Sequence, residues 1–129
     1  ETVVLGRAAM GETVSALDFH DQRRVTRDGV PVLLEPLRLT AQTLASAGLA
    51  SHGELRAFTT IALIAGGAED VVAPVRRLLP HDLPAAASGW DGKCVIRMAA
   101  WDAWPLRQAV APILTHLRKA APLPRVWQL

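Results

Sequence analysis

Cysteine occurs once in the chain, at Cys94, so no internal disulfide can form and a cysteine-rich zinc site is excluded. Tyrosine is absent and aromatic residues make up only 5% of the 129 positions, which leaves no stacking platform of the kind RNA-binding modules use. Long apolar runs are missing too. The apolar, uncharged stretch from Ala57 to Ala68 falls well short of the ~18–20 residues a membrane-spanning helix needs. At the start, Val3, Val4 and Leu5 precede Arg7, the reverse of a secretory leader's order. Neither G-x-x-x-x-G-K-[ST] nor G-x-G-x-x-G is present, and there is no G-x-S-x-G elbow, so nucleotide binding and hydrolase-type nucleophilic catalysis lack their usual signatures.

What is present describes a folded soluble domain: 50% hydrophobic, 20% charged, formal net charge +2. A chain of this length buries roughly 65–70% of its unfolded surface, enough for one core. A single domain spanning residues 1–129 is therefore expected, and cytoplasmic residence is the default. The pI near 9.3 hints at nucleic acid until the charges are placed. Twelve arginines, from Arg7 and Arg23 through Arg118 and Arg125, are interleaved with twelve acidic residues and form no basic stripe. The first residue is Glu1 and an apolar run follows at once, so the chain reads as part of a longer protein.

The first two-thirds reads as strands and turns. Thr2–Leu5 is a short β-branched run closed by Gly6, and Gly11 makes a second break before a strand over Thr13–Leu17. Arg23–Thr26 and Val30–Leu34 flank Arg27-Asp28-Gly29, a hairpin turn in which Asp28 bonds locally and Gly29 takes a positive φ. Pro31 and Pro36 place the second strand at a sheet edge or break it near Pro36. Thr40–Ala50 is weakly helical. Glu54–Ala65 is a strand ended by Gly66-Gly67.

A helix is expected from about Asp70, with Val71, Val72, Val75, Leu78 and Leu79 as its stripe and Arg76 and Arg77 near its end. A loop then runs through Ser88, and Trp90-Asp91-Gly92 turn the chain into a strand over Lys93–Ala99. That strand reads as half-wet, with Cys94, Ile96 and Met98 inward and Lys93 and Arg97 outward. A last helix starts at Asp102, buries Leu106, Val110, Ile113, Leu114 and Leu117, and is kinked by Pro112. Pro122 and Pro124 force an extended tail carrying Arg125, Val126 and Trp127. The fold class is β-rich α+β.

Candidate chemistry is sparse. Asp18, His20 and Asp21 are the one tight cluster of ligand or acid–base types, and on a strand only Asp18 and His20 share a face. A metal would need further donors, from His52, His81 or Cys94; an exposed polar strand edge is the simpler account of the cluster. Cys94 reads as a buried, inert thiol. Gly6, Arg7, Gly11 and Glu12 set two opposite charges between two glycines, which suits a salt-bridged turn as well as a polar site.

Three blocks of residues carry a resemblance: Leu5-Gly6-Arg7 with Gly11-Glu12-Thr13, Arg27-Asp28-Gly29 with Glu35-Pro36-Leu37-Arg38-Leu39, and Leu123-Pro124-Arg125-Val126-Trp127. Together they resemble the urease accessory protein UreD (UreH) family, and specifically its C-terminal half. The resemblance implies the C-terminal part of a β-helix-like strand stack with two α-helices near the C-terminus. It also implies a non-catalytic scaffold that joins UreF and UreG on apo-urease and helps deliver nickel, with no tightly bound cofactor and nickel in transit. On that reading Arg7 and Glu12 line a polar passage or interface, and Arg125 and Trp127 meet a partner or pin the tail to its own domain. The chain departs from the family pattern at Leu17 and over Asp18–Gln22, so no role for His20 is inherited. Two other readings stay open: a small hydrolase using Asp18 and His20, and a generic oligomeric binding module.

Overall fold

The computed structural model describes residues 1–6, 10–45, 54–119 and 121–128. It is mostly strand, with three α-helices, and divides into two compact units: Glu1–Gly11 with Leu55–Leu129, and Glu12–Glu54.

The first unit is built on a four-stranded antiparallel sheet in the order β1 (Thr2–Val4), β4 (Ala57–Ile64), β6 (Lys93–Ala100), β5 (Ala85–Trp90). Its register places Ala57, Thr59, Ile61 and Leu63 on the same face as Cys94, Ile96, Met98 and Ala100, and as Ala85, Ala87 and Gly89. That face carries the core, closed by Val75 of α2 (Val72–Leu78) and by Leu106, Val110 and Ile113 of α3 (Ala103–Arg118). α3 begins where its sequence says it should. The Asp102 carboxylate accepts the Trp104 N–H at 3.1 Å, and the apolar residues recur every three or four positions along one side. Pro112 sits on the exposed side and the helix runs through it to Arg118.

The region before α2 differs in detail from the sequence reading. The chain first makes a 3-10 turn, Ala68–Val71, and the Glu69 carboxylate reaches across to accept the Gly92 N–H at 2.5 Å instead of capping a helix. The segment expected to be loop through Ser88 is strand β5. It forms a hairpin with β6 around Asp91 and Gly92, whose φ values of 49° and 65° give the left-handed turn a two-residue hairpin requires. β6 is not half-wet. Only Arg97 is exposed, whereas Lys93 and Val95 are buried, because β6 is central and flanked on both sides. Val95 lies between Ala62 and Ser88, and the Lys93 ammonium sits 5.3 Å from the Trp90 ring centre and 3.9 Å from the Asp91 carboxylate.

The second unit is dominated by the hairpin of β2 (Asp18–Arg27) and β3 (Val30–Thr40). Asp28 and Gly29 turn it with φ of 51° and 79°, as their sequence implies. The strand does not break at Pro36; it continues to Thr40, with Pro36 opposite Gln22 and Pro31 opposite Thr26. In a two-stranded sheet each strand is an edge strand, so a missing N–H can face outward at no cost to the ladder. Residues 12–17 form no strand: the Leu17 carbonyl accepts from the Ala41 N–H at 3.1 Å instead of joining a neighbouring ladder. α1 (Ala41–Ala45) follows, and the rest of the weakly helical Thr40–Ala50 stretch lies outside the described residues. Among the described residues no helix is long and apolar enough to cross a membrane.

Candidate functional site

The first unit carries an apolar groove of about 250 Å³, lined by Thr2 and Val4 of β1, Ala103 and Arg107 of α3, and Val126 and Trp127 of the C-terminal tail. Each wall follows from local sequence. β1 alternates, so Thr2 and Val4 share a face, and the Thr2 hydroxyl bonds that of Thr59 at 3.0 Å. Ala103 and Arg107 are one helical turn apart, just beside the buried stripe that begins at Leu106. Pro122 and Pro124 carry the tail back, and residues Arg125–Trp127 make a single 3-10 turn, with the Trp127 N–H donating to Pro124 O at 2.8 Å.

Trp127 packs partly against the core, whereas Val126 is 70% exposed and Val4 46%. Two further tryptophans at the start of α3, Trp101 and Trp104, are about half exposed. Arg107 is the charged residue among those that line the groove. Its Nη2 donates to Gln128 O at 2.9 Å, but its Nε is buried with no acceptor among the described residues. An unmet buried donor costs ~1–3 kcal/mol until something accepts from it. The groove therefore suits a polypeptide segment that offers an apolar side chain.

The residues singled out from sequence scatter. Trp127 is in the groove; Arg125, two positions earlier, is exposed and is not among its lining residues. Gly6 and Gly11 both adopt φ of 75°, which explains the pair of glycines, but Arg7 lies outside the described residues, and with it the expected Arg7–Glu12 pairing. Glu12 is exposed. Asp18 and His20 share the exposed side of β2, where Asp18 faces the Arg38 guanidinium at 3.5 Å, and Asp21 turns the other way to bind Arg23 at 2.7 Å. His52 is outside the described residues, His81 is exposed, and Cys94 is buried in the core of the first unit. Among the described residues no group of three or more His, Cys, Asp or Glu is placed to hold a metal ion. Burial pushes the Cys94 thiol above its ordinary pKa, with Arg76 pulling weakly the other way, as befits a structural thiol.

Thr2, Val4, Ala103 and Arg107 carry no motif, Val126 lies in the Leu123–Trp127 block without having been singled out, and sequence reasoning passed over all five as site residues. The available signal was the i, i+4 pair Ala103 and Arg107 next to a strong apolar stripe.

Comparison with known proteins matches the family model described as UreD urease accessory protein over residues 1–128. Proteins named urease accessory protein UreD from Cereibacter sphaeroides, Dinoroseobacter shibae and a Jannaschia species are 56%, 52% and 43% identical to it. These alignments take in 99%, 100% and 100% of the chain but 47%, 45% and 48% of the relatives. The chain thus spans about half the length of the curated relatives it matches, and they carry accessory-protein names rather than the name of an enzyme. With a match that runs from the first residue to the last but one, the chain belongs to the UreD urease accessory protein family.

Proposed function

We propose that this chain is the C-terminal half of a non-catalytic scaffold in urease maturation, acting with UreF and UreG on apo-urease while nickel is delivered as cargo. The observation that carries the reading is the family match along residues 1–128 together with relatives 43–56% identical over essentially the whole chain. The β-helix-like strand stack is part of the same proposal, with the four-stranded sheet and the helices α2 and α3 as its C-terminal end.

Within it, the groove of Val4, Arg107, Val126 and Trp127 is the surface offered to a maturation partner. An apolar partner side chain fills it and a partner oxygen accepts from Arg107 Nε, since buried aromatic and arginine anchors are what binding hot spots are made of. Glu12 contributes to the polar passage or interface. The Asp18–His20 pair lies on an exposed strand face with Asp18 directed to Arg38, and neither residue lines the groove.

The test is urease activation with the full polypeptide that carries this chain. Val126→Asp and Arg107→Met are expected to reduce co-purification with UreF or apo-urease and to lower the nickel content of the urease produced, and Glu12→Ala to lower nickel loading with less effect on co-purification. Unchanged nickel loading and co-purification in all three variants would overturn the assignment of these residues. Full urease activation without the polypeptide would overturn the scaffold role itself.

A further inference from the structure

β4 is paired with β6 along its whole length, from Ala57 to Ile64, but with β1 only from Ala57 to Thr59. The ladder on the β1 side does not stop at Thr2. The Thr60 N–H donates to Glu1 O at 3.0 Å, and the Glu1 amine donates to Thr60 O at 2.7 Å. In an antiparallel ladder one residue turns both its N–H and its C=O to one neighbour, and the next residue turns both to the other. Thr60 faces β1, so Ala62 and Ile64 face the same way. Alongside Ile61–Ile64 no strand occupies that side among the described residues.

The opposite edge of the sheet is different. There Nε and Nη2 of Arg76, on α2, both donate to Ala87 O of β5, at 3.0 and 2.8 Å, so that edge is met from within the chain. On the β4 side the core-facing Ile61 and Leu63 are only partly buried, although both pack on the core. The relatives, of which this chain spans 45–48%, have ample further polypeptide to supply a strand.

We propose that in the longer polypeptide the four residues immediately upstream of Glu1 continue β1 as a strand against Ile61–Ile64. The register follows from Thr2 opposite Thr59: the first upstream residue lies opposite Ile61, the second opposite Ala62, the third opposite Leu63 and the fourth opposite Ile64. Thr2 shares the core face with Thr59, so the first and third upstream residues lie on that face beside Ile61 and Leu63, and both are apolar. The second and fourth exchange hydrogen bonds with Ala62 and Ile64, which excludes proline at either. At Glu1 an amide N–H takes the place of the amine on Thr60 O. An extension of this kind also removes the aggregation hazard of an open edge.

The test is residue-resolved amide exchange on the full polypeptide. Ile61 and Leu63, which turn toward β6, serve as the internal standard. Slowing of Ala62 and Ile64 by ~100-fold or more over an unstructured amide, comparable with that standard, is the expected result. Rapid exchange at Ala62 and Ile64 while Ile61 and Leu63 stay protected would overturn the proposal. The upstream coding sequence gives an independent check: apolar residues at the first and third positions support it, whereas a charge at either, or a proline at the second or fourth, refutes it.

Discussion

At Gly89 the fold leaves no room for one added methyl group. It sits on the core face of β5 opposite Cys94, and a Cβ there would lie 2.5 Å from Val72 Cγ2, 3.2 Å from Glu69 Cα and 3.2 Å from Lys93 O. Two of the three obstacles are backbone. The third belongs to a β-branched side chain whose χ1 is stiff at the start of α2, so it cannot simply swing aside. Replacing glycine by alanine in a strand interior would by itself favour folding by ~0.5–1 kcal/mol, through the smaller loss of chain entropy. Overpacking opposes this with ~1–3 kcal/mol. If the 3-10 turn is pushed back, the Glu69 bond to the Gly92 N–H is stretched as well, and a hydrogen bond to a charged group is worth ~1.5–3 kcal/mol. Gly89→Ala is therefore expected to destabilise by about 3 kcal/mol, which a urea titration reads as a midpoint lowered by ~2 M. Val72→Ala should cost ~1 kcal/mol alone yet recover ~1–2 kcal/mol in the Gly89→Ala background, because the two changes share one contact. A Gly89→Ala protein as stable as the parent, or a double variant whose effects simply add, would refute this account of the packing.

Asp102→Ala should lower stability by ~1 kcal/mol, since it removes the acceptor for the Trp104 N–H at the start of α3; an unchanged thermal midpoint would count against the cap. Ile113→Ala, which empties a fully buried site in the core, should cost ~2–5 kcal/mol in the same assay. The Cys94 thiol has a folded pKa above its unfolded value, so the stability it contributes is complete below the unfolded pKa and is lost as pH rises through the folded one. Stability curves should accordingly fall in the alkaline range less steeply for Cys94→Ala than for the parent. Iodoacetamide should leave Cys94 unmodified in the native protein and label it in denaturant.

Local chemistry made much of this fold legible. The Asp28-Gly29 turn, the Asp102 cap and the stripe from Leu106 to Leu117 each depend on residues within a few positions of one another, and each stands where the sequence puts it. What sequence could not supply is pairing. β5, Ala85–Trp90, contains three alanines, a serine and a glycine, with no alternation strong enough to mark a strand. It forms because Asp91-Gly92 folds it onto β6 and because Arg76 meets its outer edge. Lys93 looked wet for the same reason. Its period on the strand is that of Arg97, but the Trp90 ring across the hairpin covers it.

The site shows the same limit more sharply. Trp127 was singled out from the sequence because aromatics are favoured in binding hot spots, and it lines the groove while packing partly on the core. Its companions were not, because Val4 and Arg107 come together with it only through the tertiary fold. Arg107 is one of twelve scattered arginines in the sequence, and composition treats them all as surface. Only the fold shows that its Nε is buried with no acceptor among the described residues while its Nη2 holds Gln128 O. That asymmetry makes Arg107 separable from the tail. Loss of the Nη2 bond alone would loosen Gln128 and move Trp127, whereas a partner oxygen on Nε leaves the tail in place. Arg107→Lys keeps the charge but not the side-on pair of donors. If the groove works through charge alone, Lys restores co-purification; if it works through Nε, Lys behaves as Met does.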